Sequence, residues 1–267
     1  MRTMMYNTLC KTLLAGLLVL SPGLALANGI FQSTWRADRP AYTSFAVGAE
    51  WAEGRNIGNL PNDGRLLTMP RVQFNIPLGE RGEIIIGHDV IRALSSSTAE
   101  ATSGGDPYFF TKLGLFDETQ YTPATTFIYG VVEPAANPPL GPDTLEFYAF
   151  LAFSKHWGDW RGDANFGTGI FEDHARSRQT DVVIMNLALW FQPAPLWHLG
   201  TEYLYQERVE GRWFDFTQGV DSPLRRRTLA ATVDYGDQIK GRLRVSRGLV
   251  EQSEDWAVST AVVYEFR

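Results

Sequence analysis

The side chains with the clearest chemical pattern are basic. Lys240, Arg242 and Arg244 recur at every second position, so on a strand they form one ladder of positive charge. Arg71, Gln73 and Lys112 are expected on the same kind of face in other strands, with Glu146, Glu202, Asp234 and Glu265 supplying acids. Two readings follow. Such a face lines a lumen and selects polar or anionic solutes, or it fills the lumen with ion pairs. Asp234 and Lys240 flank a tight turn and are expected to pair across it. Catalytic arrangements are weaker. Ser154 and His156 are the one serine–histidine pair within a strand, but residues two apart are separated by about 6.5 Å of rise. A nucleophile needs its base at hydrogen-bond distance and a third group to orient it. His88, His174 and His198 lack zinc-site spacing, and no metal or cofactor is expected. Glu172-Asp173-His174 reads as a solvated charge run. Gly167-Thr168-Gly169 falls inside a strand, where a bulky neighbour needs room, rather than at a helix start where it would cradle phosphate.

The elements that must position these residues are strands. Residues 1–27 form a secretory leader: Arg2 and Lys11, an apolar core from Leu13 to Leu20, and the small-residue site Ala25-Leu26-Ala27. Of the 24 Lys and Arg, two lie in this leader, so the remaining 240 residues carry 22 basic against 30 acidic side chains, a net charge of −8. An acidic exported chain argues against nucleic acid as a partner. The single cysteine, Cys10, leaves with the leader, so disulfides and thiolate chemistry are excluded. No later stretch approaches the ~18 apolar residues of a membrane helix.

Helical spacing is hard to find, whereas alternation with period two recurs from Ser44 to the end. It predicts twelve strands, most of ~9–12 residues, the length a tilted strand needs to cross a bilayer. Connections alternate short and long. The short ones include 77–82, 117–123, 158–162, 192–195 and the pair Gly236-Asp237. The long ones include 53–65, 93–107, 133–143 and 207–223. Trp51, Phe116, Trp157, Trp160, Phe191, Trp197, Tyr205, Tyr235, Trp256 and Phe266 fall near strand ends, as interfacial girdles do. The last six residues, Val262-Val263-Tyr264-Glu265-Phe266-Arg267, resemble the terminal strand of outer-membrane proteins, with an arginine after the usual closing aromatic. The expectation is an all-β, transmembrane antiparallel up-and-down barrel over 44–267, with both ends on the periplasmic side.

Residues 28–43 precede the first strand without a period. Trp35, Arg36, Asp38 and Arg39 make this segment a candidate periplasmic plug, with Arg36 or Arg39 pairing to Glu50 or Glu265; the alternative is a mobile tail. Arg225 and Arg227 fall on the lipid-facing phase at the outer end of the tenth strand, with Arg226 inward. Arginine facing lipid costs roughly 2–4 kcal/mol at the midplane but little at the interface. They are expected at a lipopolysaccharide rim, or paired with Asp215 or Asp221.

Ala37-Asp38-Arg39-Pro40 with Tyr42-Thr43 resembles the start of mature chains in the MetA-pathway phenol-degradation family. Gly105-Asp106 leading into Thr111-Lys112-Leu113-Gly114-Leu115-Phe116 resembles that family's pattern of Gly-Asp before a strand with an internal basic residue. The resemblance implies an outer-membrane barrel acting as a transporter near aromatic catabolism, and carries over no catalytic residue. The expected function is passive diffusion of small solutes, hydrophobic or aromatic ones among them, through a barrel inserted by the outer-membrane insertion machinery. Two other readings stand: a closed structural or assembly barrel, and a soluble periplasmic β-rich binding protein.

Overall fold

The computed structural model describes residues 30–32, 34–38, 41–54, 64–97, 99–137, 140, 144–173, 178–208 and 225–267. The predicted leader, Arg39, His174, Asp215 and Asp221 lie outside the described residues. Among the described residues there are fourteen strands: β1 (Thr43–Glu53), β2 (Arg65–Leu78), β3 (Gly82–Asp89), β4 (Arg92–Ser95), β5 (Glu100–Ser103), β6 (Pro107–Phe116) and β7 (Ala124–Val132) in the first half. β8 (Glu146–Trp157), β9 (Trp160–Asp173), β10 (Arg178–Ala194), β11 (Trp197–Arg208), β12 (Arg226–Gly236), β13 (Ile239–Gly248) and β14 (Trp256–Phe266) make up the second. All pairings are antiparallel between neighbours. β1 pairs with both β2 and β14, so the sheet closes on itself. β4 and β5 form a small hairpin hung on the upper part of β2, which leaves twelve wall strands. That hairpin lies where the sequence predicted a plain connection over 93–107.

Period-two alternation is why the wall forms. Leu187, Leu229, Phe166, Leu243 and Phe147 point outward and are exposed, while their neighbours Asn186, Ala230, Asn165, Arg242 and Tyr148 point inward. A water-facing sheet would reverse this preference, whereas an apolar exterior band with a polar interior is the pattern of a barrel in lipid. Aromatic side chains rim the band. Trp160 stacks on Phe191 at 4.6 Å and Trp197 lies 4.6 Å from Tyr235, both beside short turns.

The second strand corrects its predicted face. Strict alternation over 66–76 puts Leu66, Thr68, Pro70, Val72, Phe74 and Ile76 on one face, with Arg71, Gln73 and Asn75 opposite. Leu66 and Thr68 are buried inward, but Phe74 is exposed and Gln73 and Asn75 point inward. The phase changes at Met69-Pro70, because these two residues stand opposite the single residue Ala49 of β1: Gly48 pairs with Arg71 and Glu50 with Thr68. Proline removes a ladder donor, and the extra residue of a bulge inverts every later side chain. For the third strand, predicted from about Glu83 to Arg92, the sequence leaves the phase ambiguous; in the structure β3 directs Glu83, Ile85 and Asp89 inward.

Candidate functional site

The barrel encloses its own N-terminal segment. Ile30, Phe31, Thr34, Arg36 and Ala37 are all buried, and lumenal side chains bond their backbone. Glu202 accepts from the Thr34 amide at 3.2 Å. Asn165 on β9 accepts from the Trp35 amide at 2.6 Å and donates to its carbonyl at 2.8 Å. The Ser154 hydroxyl accepts from the Ala37 amide at 2.7 Å and donates to Asp163 at 2.7 Å. Thr126 donates to the Ala37 carbonyl at 2.6 Å. An extended strip with no sheet partner must satisfy its backbone groups this way or leave them orphaned.

Side chains of the segment fill the remaining width. Trp35 sits 4.9 Å from Phe110 and 6.0 Å from Phe150, ring centre to ring centre. Phe31 packs with Ile30, Ala46, Ala261 and Val263, under the Arg71 guanidinium at 4.5 Å. Gly48 makes this possible, since a β-carbon there would lie 2.6 Å from the Phe31 ring. Gly169 serves β9 similarly, giving room to the Phe171 ring, in line with the steric reading of Gly167-Thr168-Gly169. Arg36 pairs with Asp38 of its own segment. Of the acids the sequence offered it, Glu265 instead pairs with Lys240 at 3.1 Å. Beneath the segment, at the short-turn end, lies a pocket of about 370 Å3 lined by Asp38, Glu80, Asp117, Glu118 and Thr126 among others.

Arg71, Gln73, Lys112, Glu146, Glu202, Asp234, Lys240, Arg242 and Arg244 lie on inward phases of their strands, and most are paired. Lys112 and Glu83 meet at 2.7 Å with both side chains fully buried, and Lys112 also donates to the Asp38 carbonyl at 3.2 Å. Arg242 pairs with Asp234 at 2.5 Å, and Arg244 lies 3.6 Å from Glu202. The expected Asp234–Lys240 pair is not formed. Gly236 stands opposite Lys240 and Asp234 opposite Arg242, so the register gives Asp234 a different cation. Arg71 holds Asp89 through two hydrogen bonds, one of them 2.8 Å. Gln73 bonds Asn75 and accepts from Tyr108, and Glu146 accepts from Tyr148 at 3.0 Å.

Sequence reasoning missed several of these partners. Glu83 was hidden by the ambiguous phase of its strand. Asn165 drew no attention in the sequence, and Ser154 drew it only as a weak catalytic partner for His156, whereas both bond the N-terminal segment. Ser154 and His156 have separate commitments. Alternation puts Ser154 and His156 on the same lumenal phase; Ser154 is buried against Asp163 and Ala37, whereas His156 is exposed at the short-turn end and meets Glu118 at 2.7 Å. His198 is buried opposite Asp234.

The long-loop end is latched separately. Arg92 reaches Asp89 at 2.7 Å, Asp106 at 2.9 Å and the Leu140 carbonyl at 2.8 Å. Asp106 also accepts from the amides of Ala135 and Ala136. Leu140 and Ala136 pack on Leu66 and Leu94, which places the β7–β8 connection over this side of the mouth. At the long-loop end of β12, Arg225 and Arg227 both pair with Glu207 of β11, at 3.4 and 3.1 Å, and Arg226 turns to Glu254 at 2.6 Å.

No family model matches the sequence, and no curated protein matches it. Solved structures do resemble the fold. An outer membrane channel from Pseudomonas putida F1 superposes with a TM-score of 0.65 at 14% identity, covering 89% of this chain and 100% of its own. The KdgM porin gives 0.54 at 9% identity, covering 84% and 99%. The translocator domain of the autotransporter NalP from Neisseria meningitidis gives 0.52 at 13% identity, covering 85% and 90%. By fold, the chain is a transmembrane β-barrel of the outer-membrane type. Its particular form is a twelve-stranded barrel that carries its N-terminal segment inside the lumen.

Proposed function

We propose that this protein is an outer-membrane channel for small solutes whose resting state is closed by residues 30–38. The observation that carries the reading is the way the segment is held. It is held by hydrogen bonds between its backbone and Glu202, Asn165, Ser154, Thr126 and Lys112 and by packing of Phe31 and Trp35, and its described residues pair with no strand. Each such bond contributes about 0.5–1.5 kcal/mol net, so the segment can leave without dismantling the wall. Behind it stands an interior with two characters. β11 to β14 supply charged residues, hydroxyls and alanines, including Arg244, Ser246, Ser259 and Ala257. β6, β8 and β9 supply Phe110, Tyr148, Phe150 and Phe171. An aromatic wall facing a polar one suits amphipathic or aromatic solutes, the class implied by the resemblance to the phenol-degradation family. Passage is by passive diffusion.

The buried Lys112–Glu83 pair favours a second reading, a closed structural barrel, because it is dry packing inside a lumen. Deleting residues 28–40 separates the two. The channel reading expects single-channel conductance in planar bilayers to rise severalfold over the full mature chain, with heat-shifted gel mobility retained. Unchanged conductance in a folded deletion variant would favour the structural barrel.

A further inference from the structure

We propose that the outer ends of β11 to β14 form a binding site for the phosphate groups of a phosphorylated outer-leaflet glycolipid, lipopolysaccharide in chemical class. The proposal rests on the reading of the chain as an outer-membrane barrel with its long loops outward, and adds Arg247 and Trp256 to the rim expected from Arg225 and Arg227. Arg247 is exposed on the outward phase of β13, and its guanidinium lies 5.2 Å from the Trp256 ring centre. Among the described residues no carboxylate pairs with it. On the next strand Arg227 lies over Tyr205 at 5.2 Å, again on the outward face. The outward phase of β11 to β13 at this end thus carries Arg225, Arg227 and Arg247 against one carboxylate, Glu207. The surplus charge is positive on a chain whose overall charge is negative.

The arginines are close enough to act together. Leu229 stands opposite Arg247, so Arg227 is offset by two residues on the adjacent strand. That puts the two α-carbons roughly 8 Å apart, from strand spacing and rise. Arg247 leans toward β14 and Arg227 toward β11, so the two guanidiniums offer separate contacts to a lipid that carries two phosphates, and such planar forks bind phosphate in a bidentate way. The aromatic faces beneath orient them and keep their stems dry. Immediately below, Leu229, Leu243 and Val258 are exposed and apolar, a surface for acyl chains. Cationic head and apolar strip in this order match a phosphorylated lipid better than a free anion.

The test is native mass spectrometry of the mature protein in mild detergent. The probe is hexa-acylated lipid A bearing both phosphates, compared with its dephosphorylated form, phosphatidylglycerol and inorganic phosphate. Removing the phosphates is expected to weaken retention at least tenfold on the unaltered protein. Arg247→Gln and the pair Arg225→Gln/Arg227→Gln are each expected to weaken it by a similar factor, and Arg81→Gln at the opposite end to leave it unchanged. Equal retention of phosphatidylglycerol, displacement by inorganic phosphate, or variants within twofold of the parent would overturn the site. Heat-shifted gel mobility is read in parallel. If it is kept while lipid A is not discriminated, only the lipid site falls; if the mature chain shows no shift, the barrel reading falls with it.

Discussion

Lys112→Met is expected to destabilise the folded barrel by about 3–5 kcal/mol, the usual cost of removing one partner from a buried ion pair. The Lys112 ammonium lies 2.7 Å from Glu83, and neither side chain has measurable exposure. Methionine matches the length of the lysine stem but leaves the carboxylate inside the wall without that cation. The urea midpoint at which heat-shifted mobility disappears reads the loss. Adding Glu83→Gln is expected to restore most of it, because the stranded charge is then gone. A single-variant cost below about 1 kcal/mol would mean that water reaches the pair. The same lysine donates to the Asp38 carbonyl. Conductance should therefore rise in Lys112→Met and stay raised in the double variant, which separates anchoring of the segment from wall stability.

Asn165→Leu is expected to open the channel with little effect on the wall. One amide side chain both accepts from and donates to the Trp35 backbone. Losing both bonds, with two backbone groups left unsatisfied, weakens the closed state by about 2 kcal/mol. At about 1.4 kcal/mol per factor of ten, the fraction of time spent open rises about thirtyfold. Open probability in planar bilayers is the readout. Asn165→Asp keeps the acceptor for the Trp35 amide and loses the donor to its carbonyl, so it should fall between parent and leucine variant. Equal open probability in all three would remove Asn165 from the closing contacts.

The wall was legible because a barrel in lipid writes its two environments onto alternate residues. Leu187 and Asn186, or Leu243 and Arg242, declare opposite faces without any knowledge of neighbours. Counting those alternating stretches gives twelve strands, and the alternation of short and long connections points to the barrel layout. Partner choice was not legible, because it depends on register. In the β12–β13 hairpin three residues, 237–239, separate the closing pair Gly236 and Lys240. A shift there of one residue changes which cation faces Asp234. The second strand hid its phase change for a related reason: a bulge is a relation between two strands, and only Pro70 hinted at it. The segments that suggested a family turn out to sit at joints of the structure. Ala37 and Asp38 lie in the lumen against Ser154, Thr126 and Lys112. Asp106 ties the β7–β8 connection to Arg92.

A reversible lock on the segment tests the central claim most directly. The mature chain carries no cysteine, since Cys10 lies in the predicted leader. Ala37→Cys/Ser154→Cys puts two cysteines where the Ala37 amide and the Ser154 hydroxyl now lie 2.7 Å apart, so that a disulfide between them would tie the segment to β8. Reduced, the pair lacks the serine anchor and should conduct more than the parent. Oxidised, with the cross-link verified by mass spectrometry, conductance should fall to the bilayer baseline and return on adding reductant. A cross-linked barrel that conducts as well as the reduced one would contradict closure by residues 30–38.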